Sequence, residues 1–216
     1  MSRQSCEIAV IGGGITGAAT ACALAAAGFD VQLIERGQAP AAFDPQVWDP
    51  RVYAISPGSA AFLDTLGGWS QVLASGRAGS MNRMQVWDRE ASRALGFDAG
   101  DAGADTLGWI VEHRLLASTL WQALPVGCAR TGVDVQGVRF DDDAVGLSLS
   151  DGTSLQARLA IGAEGADSAL REAAGIDTVG WSYASSAIVC HLESSEPHRG
   201  TALQRFLPSG PVALLP

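Results

Sequence analysis

Glycines at positions 12, 14 and 17 form G-x-G-x-x-G directly between an apolar run, Ile8 to Ile11, and an alanine-rich stretch that ends near Ala27. No other feature limits the fold as strongly. A short, unbroken apolar run suits a strand buried on both faces in a parallel sheet. The alanines favour helix and are small enough for close packing, and Gly28 is a natural helix stop. "FDVQLIE" then reads as a second strand ending on Glu35. Strand, glycine turn, helix and strand make a βαβ unit, so the chain is expected to be α/β and Rossmann-like at its start.

Each glycine has a physical task. Gly12 permits the tight turn out of the strand. Gly14 removes a side chain where a pyrophosphate must come close, and Gly17 lets the helix pack tightly on the strand. The helix starts at about Ile15 and Thr16, so its first N–H groups would point at the phosphates. Glu35 lies where a ribose diol is expected, and its carboxylate can accept two hydroxyl hydrogen bonds. The same charge would repel a 2′-phosphate, which argues against NADP in this site. Arg36, directly after the acid, leans towards FAD over NAD without deciding between them.

The chain carries 14 Lys+Arg against 23 Asp+Glu, a net charge of −9. That argues against a nucleic-acid surface, which needs clustered positive charge, and against electrostatic docking on anionic lipid. Cys6, Cys22, Cys128 and Cys190 are far apart in sequence and read as idle thiols in a reducing compartment. His113, His191 and His198 have no metal-binding spacing, so no metal is expected. The N-terminus lacks a secretory pattern and no segment has the length of a membrane span, which makes a cytoplasmic location the default.

Beyond Glu35, Gly37 to Pro50 reads as a long loop. A helix is expected from about Ser56, with Pro57 in its first turn and Ala61, Leu63 and Leu66 able to face a core. Arg51, just before it, is either a surface residue or a phosphate-clamping arginine. "MNRMQVWDRE" reads as a strand and "GFDAGDAGAD" as a loop. "LGWIVEHRLLASTLWQAL" passes from strand to helix. Strands with turns at Asp141–Asp143 and Asp151–Gly152 form an antiparallel meander. The meander leads into "GAEGADS", a second strand-to-helix turn containing Glu164 and Gly165. The closing "TALQRFLPSGPVALLP" reads as a hairpin whose apolar last strand lacks a sheet partner, as expected of an incomplete chain.

Taken in order, "GGGITG" with Glu35–Arg36, "DPRVYAISPGSAAFLDTLGGW", "MQVWD", "LGWIVEHRLL", "GAEGADSALREAAGI", "WSYASSAIV" and the closing hairpin resemble the flavin-dependent ubiquinone-biosynthesis hydroxylases. These belong to the wider group that includes p-hydroxybenzoate hydroxylase. The resemblance implies FAD as cofactor, NAD(P)H as reductant, and O₂ and a hydrophobic aromatic substrate, a polyprenylated phenol. It implies that Gly12, Gly14, Ile15, Thr16 and Gly17 hold the FAD pyrophosphate and Glu35 the adenosine ribose. Arg36 and Arg51 would lie along the adenosine and pyrophosphate, with Arg114, Glu164 and Gly165 as further cofactor contacts. Glu164 stands where the family has Asp, Ser185 where it often has Gln, and His113 where Asn is common. The family's chains are longer, and their Gly-Asp pair falls beyond Pro216.

The implied architecture is an FAD-binding domain with an interleaved β-meander (residues 1–78 and 106–178). Part of a mainly antiparallel substrate domain is expected in 79–105 and 179–216, with an apolar cleft near Met84–Trp87, Trp181–Val189 and Phe206. No catalytic acid–base pair is assigned, because the chemistry belongs to the cofactor. A 216-residue piece is expected to bind FAD weakly and to lack hydroxylase activity. Peripheral membrane association, membership of a biosynthetic multiprotein complex and oligomeric state stay open. So do two other readings: a flavin reductase, halogenase or NAD-dependent dehydrogenase, and a non-catalytic nucleotide-binding or assembly module.

Overall fold

The computed structural model describes residues 3–88 and 90–216. Along the chain run β1 (Arg3–Ile11), α1 (Ile15–Ala26), β2 (Val31–Glu35), β3 (Val52–Ile55), α2 (Pro57–Thr65), α3 (Trp69–Ala74), β4 (Ala78–Met81) and β5 (Arg83–Trp87). There follow β6 (Leu95–Asp98), β7 (Gly108–Glu112), α4 (His113–Ala123), β8 (Ala129–Thr131), β9 (Val135–Phe140), β10 (Val145–Leu149), β11 (Ser154–Gly162), α5 (Ala169–Ala173), β12 (Thr201–Leu207) and β13 (Gly210–Leu214). The fold is mixed α/β, with parallel and antiparallel sheets. The chain divides into two compact units, one of residues up to 43 with 117–187, the other of residues 44–116 with 188–216. These breaks fall at other positions than the expected domain boundaries 78/79, 105/106 and 178/179.

The first unit is built on a sheet of order β8-β2-β1-β11-β10-β9. β1 is central and pairs in parallel with both β2 and β11. The apolar run is continuous because both faces of β1 are covered. Ala9 and Ile11 enter a cluster with Leu147, Leu155 and Leu170, while Ile8 and Val10 enter another with Ala21, Leu33 and Cys128. The meander β9-β10-β11 is antiparallel as expected, yet its last strand is also the parallel neighbour of β1. Burial pushes the thiols of Cys6 and Cys22 up to about 11 and that of Cys128 upward. These thiols are therefore poor nucleophiles at neutral pH.

The second unit holds two smaller sheets, β3-β7-β4 and β13-β12-β5-β6. Ser56 caps α2 by accepting the Ser59 N–H, with Pro57 in the first turn. α2 buries Leu63 as expected and leaves Leu66 half-buried, but the buried alanine is Ala60 and the expected Ala61 is exposed. The expected loop at Gly96–Asp105 begins instead as the strand β6. Its pairing with β5 and the Arg83–Asp98 ion pair at 2.7 Å supply what local propensity lacks. The Arg83 guanidinium beside Asp98 holds its carboxyl below the usual range. The closing segment is an antiparallel β12–β13 hairpin, with β12 parallel to β5 and β13 at the sheet edge.

Candidate functional site

The turn between β1 and α1 shows why each glycine is needed. Gly12 has φ +100°, and a Cβ there would lie 2.5 Å from the Ala163 carbonyl oxygen. A Cβ on Gly17 would lie 1.8 Å from the Gly12 carbonyl oxygen. At Gly14 a Cβ would meet nothing within 4 Å. Two of the three glycines are therefore demanded by the protein's own packing. Gly14 faces open space, where a phosphate can approach the backbone. Gly14 is also the N-cap of the twelve-residue α1, has no side-chain cap bond, and precedes a first turn without acidic residues. Uncapped amides at the positive end of a helix suit a diphosphate. Ile15 is half-buried and Thr16 exposed at that end.

Glu35 closes β2 beside this turn. Its Oε2 accepts the Gly13 N–H at 2.5 Å and its Oε1 accepts the Gly37 N–H at 2.6 Å. Each carboxylate oxygen keeps a lone pair for a hydroxyl donor. Arg36 is exposed. Uncapped amides, an open glycine face and a half-buried carboxylate fit the adenosine-diphosphate part of a dinucleotide.

Glu164 has another local role. It accepts Ser168 Oγ–H at 2.6 Å and the N–H groups of Ala169 at 3.1 Å and Leu170 at 3.2 Å. Ser168 in turn accepts the Arg171 N–H at 3.2 Å. The carboxylate folds back over the start of α5, a reach that the glutamate methylene permits. Gly165, at φ +89°, makes the turn between them. Glu164→Ala is expected to lower stability by about 1–2 kcal/mol through loss of the cap, read by denaturant unfolding. An unchanged midpoint would refute the capping role.

In the second unit Arg51 and Arg114 meet one buried acid. Asp49 Oδ1 accepts the Arg51 N–H at 3.0 Å, and Oδ2 accepts the Arg114 N–H at 3.1 Å with Arg114 Nε 3.8 Å away. The Arg51 guanidinium lies 5.6 Å from the Tyr53 ring centre. Tyr53 Oη is 3.3 Å from His113 Nδ1. Burial first, then the Arg51 charge, lowers the His113 pKa. The Asp49 N–H donates to Glu112 Oε2 at 2.8 Å, and Arg77 donates from Nε to Glu112 Oε1 at 2.7 Å. Arg77 also stacks 3.5 Å from the Trp48 ring centre and donates to the Pro45 carbonyl at 2.6 Å. Thus Arg77 and Glu112, neither of them singled out in the sequence, tie down the segment from Pro45 to Asp49. β5 and β12 bring Met84–Trp87 and Phe206 into one sheet, whereas 181–189 contain no helix or strand and are exposed.

Sequence reasoning also missed Gly13 and Trp121. The clue was present: "GGG" holds one glycine more than the motif needs. A Cβ on Gly13 would lie 2.6 Å from the Trp121 ring and 3.0 Å from Glu35. Among the described residues no three His, Cys, Asp or Glu side chains group to hold a metal, and no helix is long and apolar enough to cross a membrane.

A family model described as FAD binding domain matches residues 5–207. The chain is 37% identical over 220 residues to the 3-demethoxyubiquinol 3-hydroxylase of Escherichia coli, covering 100% of this chain and 56% of that protein. It is 36% identical over 231 residues to the human mitochondrial ubiquinone biosynthesis monooxygenase COQ6, covering 97% of this chain and 48% of that one. The chain thus spans about half the length of the curated relatives it matches. Among solved structures, p-nitrophenol 4-monooxygenase PnpA from Pseudomonas putida superposes with a TM-score of 0.65 at 25% identity, over 80% of this chain and 44% of that one.

Proposed function

We propose, from the premise that this chain belongs to the FAD-binding domain family, that it is the cofactor-holding portion of an NAD(P)H-using aromatic-ring hydroxylase. The substrate class is a polyprenylated phenol on the route to ubiquinone, in keeping with the ubiquinone-biosynthesis enzymes it resembles. The observation that carries the reading is the open face at Gly14, set between uncapped α1 amides and the Glu35 carboxylate.

Bound FAD would supply the redox and oxygen-transfer chemistry; the protein holds, orients and shields it. Backbone N–H groups at Gly14, Ile15 and Thr16 would face the diphosphate, with Gly12 and Gly17 shaping the turn. Glu35 would accept from the ribose hydroxyls. Arg36 would lie along the adenosine, and the family resemblance gives Arg51 and Arg114 as further cofactor contacts. Gly165 would let the backbone approach the cofactor, with Glu164 fixing the turn. Segments 79–105 and 179–216 would contribute to the substrate side. The reading places the protein in the cytoplasm, handling a hydrophobic substrate as a peripheral membrane protein or within a multiprotein complex.

The test uses the full-length protein. It is expected to purify yellow, with stoichiometric FAD, and to oxidise NAD(P)H faster when a prenylated phenol is added. Deletion of its gene should make an under-hydroxylated quinone precursor accumulate, detected by mass spectrometry. A folded but colourless protein that takes up no FAD would defeat the reading.

A further inference from the structure

We propose that Trp121 is a positioning residue that aims the dinucleotide loop at the diphosphate; the inference rests on the cofactor reading above. The Gly13 residue is held on both sides. Its N–H donates to Glu35 Oε2 at 2.5 Å, and its carbonyl accepts from Trp121 Nε1 at 2.8 Å. A planar trans peptide sets the carbonyl of one residue and the N–H of the next on opposite sides. Fixing the Gly13 carbonyl towards Trp121 therefore turns the Gly14 N–H the other way, at the residue whose Cβ direction is open.

The indole is itself fixed. Trp121 packs against the buried cluster of Ile8, Val10, Leu33 and Cys128. A ring seated on the central strand and the β2 core carries the rigidity of the sheet into the loop. Amides held in place before the ligand arrives lose no entropy on binding, which is how preorganisation raises affinity. A glycine triplet without this tie would sample many conformations, since glycine is the least restrained residue. The arrangement also explains the extra glycine. Any side chain at position 13 would strike the indole that holds the carbonyl.

The test replaces Trp121 in the full-length protein with phenylalanine and, separately, with benzothienylalanine, which keeps the bicyclic shape and lacks the N–H. Dissociation constants are measured for FAD, ADP and adenosine, the last by competition. FAD and ADP are expected to weaken together, by about tenfold for one lost hydrogen bond, with adenosine unchanged because it has no phosphate. Wild-type affinity for FAD and ADP in the benzothienyl protein would overturn the inference. Equal weakening of all three ligands, with a lowered thermal midpoint, would overturn it too, since Trp121 would then be only structural. Failure of the wild-type protein to bind FAD or ADP would instead strike the cofactor reading itself.

Discussion

Gly17→Ala is expected to unfold the first unit or leave it unable to bind FAD, whereas Gly14→Ala is expected to leave stability intact and weaken FAD alone. The two substitutions add the same methyl group three residues apart. At Gly17 that carbon would lie 1.8 Å from the Gly12 carbonyl oxygen, 3.0 Å from the Gly12 carbonyl carbon and 3.1 Å from the Ala163 side chain. The main obstacle is backbone, held in turn by the Gly12 N–H bond to the Ile34 carbonyl at 2.8 Å. No rotamer change can relieve it. The cost should exceed the roughly 1–3 kcal/mol of an ordinary overpacked core, because α1 must move off β1. At Gly14 a methyl group meets nothing within 4 Å, and φ is −64°, a value alanine adopts freely. Denaturant unfolding and FAD titration on both variants separate the cases. A Gly17→Ala protein with wild-type midpoint and affinity would show that the helix does not need this contact.

The contrast also marks what the sequence could and could not reveal. The roles of Gly12, Gly14 and Gly17 were legible because a strand, a turn and a helix in series have little geometric choice. The choice between FAD and NAD was not, since Arg36 alone favours neither decisively; the family match at residues 5–207 assigns FAD. Trp121 lies in a stretch that reads only as passing from strand to helix. Its bond to Gly13 spans 108 residues of sequence, and no local periodicity encodes such a partner. Glu164 was read as a cofactor contact, and the structure gives its carboxylate three donors around the start of α5. Strand β6 was invisible because half of "LGFD" is Gly and Asp, residues poor in strands, and only its pairing with β5 makes it one.

Glu112 was hidden for the opposite reason. It ends an apolar strand, "GWIVE", and reads as the polar residue at which a strand stops. In the structure it is buried and accepts from the Asp49 N–H and from Arg77. Arg77→Ala is therefore expected to cost about 3–5 kcal/mol, the usual penalty for stranding a buried charge. The side chains of Arg77 and Glu112 are only 10% and 4% exposed, and their atoms approach to 2.6 Å. Removing the guanidinium leaves Glu112 with the Asp49 N–H as its other donor. It also removes the stacking on Trp48 and the bond to the Pro45 carbonyl. The segment leading into Arg51 should then loosen, so limited proteolysis is expected to cut between Asp44 and Asp49 before the rest of the unit opens. Arg77→Met combined with Glu112→Gln removes both charges, keeps an amide oxygen to accept the Asp49 N–H, and should recover most of the lost stability, because no unpaired ion remains inside. If the single variant unfolds with the wild-type midpoint, the pair is not the organising contact its geometry indicates. If the double variant is as unstable as the single one, the loss comes from the loop contacts of Arg77 and not from the buried carboxylate.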